Sequence, residues 1–428
     1  MTSPVSARRR REIIDALRRG TVPQNGLDQF AVGLERFADA LAAELDLLPA
    51  GGAVFKAVRG EYGSGKTFFA RWLGEQAKGR GMAVAEVQIS ETETPLHRLE
   101  TVYRRVCESL QTAEFPPSAF RPVLDAWLFG LEDPTSSGAV DEMLERRLSS
   151  VSRTTPAFAT ALRAYRLAFL AENVADAEGL AAWLAGQPHV AASVRRAAGV
   201  RGELDHFGAF GFLQGLLTVL RDAGHPGLLL VLDEVETLQR VRGDVREKAL
   251  NALRQLIDEV DGGRFPGLYL LITGTPAFFD GIQGVQRLAP LAGRLATDFT
   301  TDARFDNPRA VQIRLPGFTS ASLVEVGRKV RDLYAAGSDA APRITTVVDD
   351  GYIGSLASAV SGELGGRVGV APRLFLKKLV GDVLDRVDQF PDFDPRRDYA
   401  LTVNASELNA VETNARARTN PDDIALDL

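Results

Sequence analysis

Residues 60–67 read Gly60-Glu61-Tyr62-Gly63-Ser64-Gly65-Lys66-Thr67, a complete G-x-x-x-x-G-K-[ST] string. An apolar run, residues 53–58, leads into it, and a helix-favouring segment, residues 68–78, follows. Strand, tight glycine turn and helix N-terminus in that order make a phosphate-binding loop. The glycines let backbone N–H groups wrap a polyphosphate, Lys66 adds a point charge at the β- and γ-phosphates, and the Thr67 hydroxyl can ligand Mg²⁺. Lys66 reads here as an exposed loop lysine. A second β-type segment, residues 83–89, comes after the turn at residues 79–81. The resulting βαβ unit predicts an α/β fold with a parallel sheet.

At 428 residues the chain is long for one hydrophobic core and suits two or three domains. Apolar residues make up 45% and charged residues 25%, so most of the chain is expected to pack. The net charge of −6 supplies no global field for nucleic acid or acidic membranes, so any DNA contact requires a local basic stripe. Arg8, Arg9, Arg10 and Arg11 read as the solvated first turn of a helix through Ile13, Ile14 and Leu17. The single cysteine, Cys107, cannot pair within the chain and reads as a small core residue, and the four histidines are scattered. No apolar h-region follows the basic start, and no run approaches the roughly 18 apolar residues of a membrane span. The expectation is a cytoplasmic protein with no membrane contact.

A turn signal at residues 18–23 and an amphipathic helix over about residues 34–47 precede the loop, giving an N-terminal helical linker over residues 1–50. Far more chain separates Lys66 from Asp233 than the roughly 30 residues of a βαβ unit. The excess reads as a helical insertion, about residues 112–206, carried on a nucleotide-binding core of residues 51–318. Across the helical stretch of about residues 95–224, helices are expected near residues 122–129, 139–149, 157–174, 180–184 and 210–222. Residues 319–391 read as a helical lid. Residues 392–428 read as an extension with a short extended piece near residues 399–403, one helix and a frayed end.

Leu228, Leu229, Leu230, Val231 and Leu232 form an apolar run that ends in Asp233 and Glu234. Such a run fits a strand covered on both faces, and ligands bind at the carboxyl ends of such strands. Asp233 is then placed to hold Mg²⁺, and Glu234 to polarise the water that attacks the γ-phosphate. Glu236 reads as a helix-start residue. The next apolar run, residues 268–272, ends in Thr273-Gly274-Thr275-Pro276, where either hydroxyl can reach the γ-phosphate or the water; Thr275 is preferred. A third, shorter run covers residues 311–315.

This order of parts resembles the AAA+ ATPases, and within them the origin-recognition and transposition-helper branch. The likeness covers the loop at Gly60–Thr67, Asp233-Glu234 as Walker B and the Thr273/Thr275 strand end as sensor 1. It extends to Gly369-Val370-Ala371-Pro372-Arg373, which looks like sensor 2, so that Arg373 reaches a phosphate from the lid. A closer likeness is carried by residues 13–23, by residues 59–68 and by residues 93–100. These stretches look like the ATP-binding protein family of BREX-type phage-defence systems (the BrxD-like group). That resemblance implies bacterial origin, ATP and Mg²⁺ as ligands, ATP hydrolysis, nucleotide contacts from Val22, Pro23 and Phe68, and a DNA-directed partner such as a helicase.

The AAA+ likeness also implies a homo-oligomer whose site is completed by an arginine from the neighbouring subunit. Arg294 is the first choice, with Arg287 and Arg304 as rivals. The leading reading is an ATPase whose nucleotide state controls assembly and engagement of DNA or a DNA-processing partner. The alternative is a slow-turnover nucleotide switch that binds a partner protein without touching DNA. A P-loop kinase fits poorly, since no clamp for a substrate carboxylate is recognisable.

Overall fold

The structure is a computed structural model that describes residues 5–130, 139–366, 369 and 371–417. Val370 of the sensor-2 stretch and the tail beyond residue 417 lie outside the described residues.

The chain opens with α1 (Ala7–Arg18), capped by Ser6, and α2 (Glu35–Leu45). Strand β1 (Val54–Arg59) runs through the glycine loop into α3 (Lys66–Gly79) and on to β2 (Ala83–Gln88). A long helical excursion follows: α4 (Leu99–Ser109), α5 (Phe120–Phe129), α6 (Ala139–Thr154), α7 (Pro156–Leu170), α8 (Val174–Leu184), α9 (Ala192–Ala197) and α10 (Gly208–Asp222). The chain then returns with β3 (Leu228–Asp233), α11 (Gly243–Asp261), β4 (Leu268–Gly274), α12 (Pro276–Asp280), α13 (Ala289–Arg294) and β5 (Gln312–Arg314). Helices α14 (Ser320–Ala335), α15 (Ala341–Val347) and α16 (Asp350–Glu363) come next. One continuous helix follows, in which α17 (Pro372–Lys377) passes through a π-helical stretch, Lys378–Leu384, into α18 (Asp385–Gln389). Two short helices, α19 (Pro395–Asp398) and α20 (Ala410–Ala417), finish the described chain.

The five strands form one sheet in the order β2-β3-β4-β1-β5, and every neighbouring pair is parallel. The α/β class expected from the sequence is therefore the one observed. All strand carboxyl ends lie on one edge, where the register sets Gln88 beside Asp233 and Arg59 beside both Gly274 and Arg314. Both faces are covered, which is why β3 and β4 are nearly uniform in apolar residues. Leu228, Leu230 and Leu232 face the helical excursion and α11, while Leu229 and Val231 face α1, α2, α3 and the C-terminal helices. Burying each of these leucines is worth roughly 1.5–3 kcal/mol.

One polar set interrupts the second face. Lys56, in the middle of β1, is fully buried and pairs with Glu44 of α2; its Nζ also donates to the carbonyls of Pro308 (3.2 Å) and Ala310 (2.8 Å). The Tyr269 hydroxyl donates to the same Glu44 carboxylate at 2.6 Å.

The helix expected over residues 157–174 stops at Leu170, and the one expected over residues 180–184 starts earlier, at Val174. The apolar pattern runs on, but Glu172 adopts φ +53° and the Asn173 side chain accepts the Asp176 N–H, so α7 stops and α8 starts afresh. Residues 399–403 form no strand; Leu401 and Val403 pack half-buried against the second face instead. Cys107 is buried on α4, where desolvation pushes its thiol far up, as a core residue requires. No helix among the described residues is long and apolar enough to cross a membrane.

Candidate nucleotide-binding site

The loop between β1 and α3 has the backbone that its glycines permit. Gly63 and Gly65 sit at φ +82° and +89°, and a Cβ on Gly60 would lie 2.3 Å from Ser64 Oγ. The buried Ser64 hydroxyl has no partner within the protein, as expected of a cradle built for an external acceptor. Lys66 opens α3 and is buried, not exposed as a free loop lysine would be. Its Nζ donates to the carbonyls of Gly60 (2.8 Å) and Glu61 (3.2 Å) and lies 5.1 Å from the centre of the Tyr62 ring. Desolvation lowers its pKa, opposed by Glu236, Asp233, Glu234 and Glu61.

Asp233 closes β3 and gathers three partners. Thr67 Oγ1 donates to Oδ2 at 2.8 Å, Thr273 Oγ1 donates to Oδ1, and the Glu234 N–H reaches Oδ1 at 3.1 Å. The two oxygen donors expected for a divalent cation, Thr67 and Asp233, are thus already adjacent. Among the described residues no cluster of three or more His, Cys, Asp or Glu could hold a metal alone. Mg²⁺ is ordinarily held by one or two protein oxygens plus water and phosphates, so the pair fits it.

Glu234 takes φ +59°, ψ +42°, the left-handed region that costs a non-glycine residue roughly 1–2 kcal/mol. Its carboxylate leaves the strand line there, and Gln88 Nε2 donates to Oε2 at 2.8 Å.

Of the two threonines, Thr273 donates to Asp233. Thr273 is still in β4, while Thr275, the one preferred from the sequence, has left the strand at the N-cap of α12; both are buried and neither lines the cleft. Glu236 lies in the first turn of a short 3-10 helix, Val235–Gln239, as the sequence reading has it, but it is also buried in the site. It is 4% exposed, lines the cleft and stands 3.9 Å from Lys66 Nζ. Apart from its own backbone N–H, no donor reaches its carboxylate, and desolvation raises its pKa.

The cleft, about 420 Å³, continues away from the loop between two apolar walls. Leu17, Val22, Pro23, Phe30, Val32 and Leu34 form one, and Leu315, Phe318, Val326 and Leu376 the other. Such walls suit a flat aromatic base, with the polar loop at one end fixing its orientation. Val22 is anchored by Arg71 Nη1, which donates to its carbonyl at 2.7 Å while pairing with Glu86. Phe68 stacks edge-on against Phe30 at 5.2 Å.

Arg373 is at the cleft, engaged by Glu412 and by the Glu407 carbonyl. Arg294 is not: it pairs with Asp258 of α11 and donates to the Pro290 carbonyl at 2.9 Å. Arg294, Arg287 and Arg304 are all exposed, and none lines the cleft of its own chain.

Sequence reasoning missed Gln88, Phe30, Phe318, Asn409 and Glu412 as cleft or cleft-edge residues. Gln88 had a usable signal, since the last residue of β2 must stand near the last residue of β3. The others are brought in by tertiary packing alone.

No curated protein is significantly similar in sequence. A search of solved structures finds the Aeropyrum pernix ORC2 protein, described in ADPNP-ADP complexes, at 15% identity and a TM-score of 0.42, covering 88% of this chain and 70% of that one. That likeness is too distant to carry an argument. A family profile described as BREX system ATP-binding protein BrxC/D matches residues 5–403, nearly the whole chain. With the phosphate loop, Asp233-Glu234 and the cleft in place, the chain belongs to the BREX system ATP-binding protein BrxC/D family.

Proposed function

We propose that the protein binds ATP with Mg²⁺ in this cleft and hydrolyses it, and that nucleotide state governs self-assembly and action on DNA or a DNA-processing partner in bacterial phage defence. The observation that carries this reading is the convergence of Lys66, Thr67, Asp233 and Glu234 at the ends of two parallel strands. Thr67 and Asp233 would hold Mg²⁺, which would supply charge neutralisation at the phosphates.

The loop N–H groups orient the phosphates, and Lys66 must leave the Gly60 and Glu61 carbonyls to meet them. Glu234 accepts the proton of the attacking water through Oε1, because Gln88 already occupies Oε2. Thr273 holds Asp233 and the Glu234 N–H together, so the acid and the metal ligand keep a fixed spacing. The C-terminal helices act as a lid that brings Arg373 to the terminal phosphate. The site is completed by a neighbour's Arg294, which is exposed and outside its own cleft.

The slow-switch alternative also has support. Glu234 is tied to Gln88 and Arg373 to Glu412, so both charges the chemistry needs already have partners. Phosphate release by the full chain, measured against Glu234→Gln with and without DNA, separates the two. DNA-stimulated turnover supports the first reading; slow turnover insensitive to DNA supports the second; turnover equal in both proteins removes Glu234 from the chemistry.

A further inference from the structure

The segment from Asn404 to Ala417 folds back onto α17 and reaches the cleft at Asn409 and Glu412. Glu412 is fully buried, and its carboxylate accepts Arg373 Nε–H at 3.0 Å and an Nη2–H of the same guanidinium. The Asn409 N–H adds a third bond to it at 2.8 Å. The other Arg373 Nη2–H goes to the Glu407 carbonyl. The Glu407 carboxylate in turn accepts Lys377 at 3.1 Å and Lys378 at 2.9 Å. Two carboxylates of one short segment therefore grip three cations along α17 and the first residue of the π-helical stretch.

Such a grip fixes direction. A buried carboxylate that loses its cation costs several kcal/mol, so Glu412 and Arg373 hold each other. A guanidinium has five N–H donors in a rigid fork, and the hydrogen bonds just described use Nε and Nη2. Nη1 lies beside Gly20, 3.1 Å from where a Cβ would stand on that residue, whose φ is +72°. Gly20, Arg373, Asn409 and Glu412 all line the cleft. Any side chain at Gly20 would crowd the edge of the fork that Glu412 leaves open.

We propose that Glu412 is a positioning residue of the nucleotide site, holding Arg373 by its Nε/Nη2 edge so that Nη1 is free for the terminal phosphate. The C-terminal helix thereby becomes part of how the protein tells a triphosphate from a diphosphate. This rests on the reading of the cleft as an ATP site.

The test compares the full chain with Glu412→Gln, Arg373→Ala and the double variant. Affinities for ADP and for a non-hydrolysable ATP analogue are measured, together with melting temperature. Glutamine keeps the shape and the Asn409 bond but removes the charge that orients the fork. Glu412→Gln is expected to leave ADP affinity within about twofold and to weaken the ATP analogue about tenfold. The double variant is expected to be no weaker than Arg373→Ala alone.

Equal loss for both nucleotides, no loss for the analogue, or losses that multiply in the double variant would each overturn the proposal while sparing the ATP reading. A wild-type protein that binds neither nucleotide overturns both. If Glu412→Gln does not fold, Gly20→Ala carries the test, because it crowds the same guanidinium from the opposite side. It is expected to lower analogue affinity and spare ADP, and unchanged analogue affinity there overturns the proposal.

Discussion

The two ends of the cleft are assembled in different ways. At the sheet end, Gly60 to Thr67, Asp233, Glu234 and Thr273 sit at strand termini, and the parallel register alone brings them together. At the helical end, Arg373 and Glu412 sit on helices that no ladder connects, with Asn409 just before the second, and charge pairing does what hydrogen-bonded strands do elsewhere. The sheet end is thus pre-formed, while the helical end can change with its partners. Chemistry placed at the first and sensing at the second would follow from that division.

The largest effect tests whether two ends suffice. If a neighbour completes the site, Arg294→Ala should bind ATP normally and lose turnover by about a thousandfold, as loss of a trans arginine does. Mixing it with Glu234→Gln subunits should restore part of the activity, since some interfaces then pair an intact Glu234 with an intact Arg294. A monomer with full activity under all conditions removes the third contributor.

Within the sheet end, Glu234→Gln should retain Mg²⁺-ATP binding and lose turnover by several hundredfold, within the range of about 10²–10⁴ for a general base. Single-turnover phosphate release checks it. Lys66→Ala should weaken ATP by about a hundredfold, the worth of two charge-assisted hydrogen bonds. It also strips Glu236 of its nearest cation, which opposes the rise that burial imposes on that carboxyl. Titration calorimetry with near-normal affinity in that variant would sink the phosphate-loop assignment.

At the helical end the effects should be smaller. Arg373→Ala is expected to lower kcat/KM about tenfold and weaken ATP-driven assembly, with the sheet intact by circular dichroism. Parity with wild type in both assays would leave Arg373 a structural residue.

The weakest expected effect is one of pH. Burial alone would raise the Glu407 carboxyl, but Lys378, the Asn404 N–H and Lys377 hold it down at about 2, against an ordinary value of 4.5. A depressed carboxyl contributes stability above its unfolded value. The grip of the tail on α17 should therefore be complete above about pH 4.5 and fade as pH falls toward 2. Amide exchange over residues 404–417, compared with the sheet at pH 6 and pH 3.5, would detect it. Equal protection at both values would exclude a role for that carboxylate in holding the tail.

The sheet end was legible because each of its parts is contiguous: a glycine string, or an apolar strand closed by acids. Thr273 and Thr275 were harder to separate, since residues two apart share a strand face until the strand stops, and β4 stops between them. The burial of Glu236 and Lys66 was hidden for one reason. Both carry charge, and composition places charge outside, whereas here each is the other's burial partner. Glu412 left no signal, because nothing in the sequence near it points to an arginine on another helix. The break between α7 and α8 was expected too late, because an apolar pattern continues past Leu170 while one left-handed residue, Glu172, turns the chain.

The ion pair beneath the sheet has a geometric consequence for the base-binding wall. Lys56 and Tyr269 meet one carboxylate, Glu44, inside an otherwise apolar face. Sliding α2 by one turn, about 5.4 Å, would still bury apolar side chains such as Leu41 and Leu45 yet strand a buried ammonium, a loss of about 3–5 kcal/mol. Apolar contact alone would tolerate such a slip; the charge does not. The pair works as an index pin that sets α2 at a single notch on β1. Because the chain between α1 and α2 carries Val22, Pro23 and Phe30, that notch also fixes how far the wall stands from the phosphate loop.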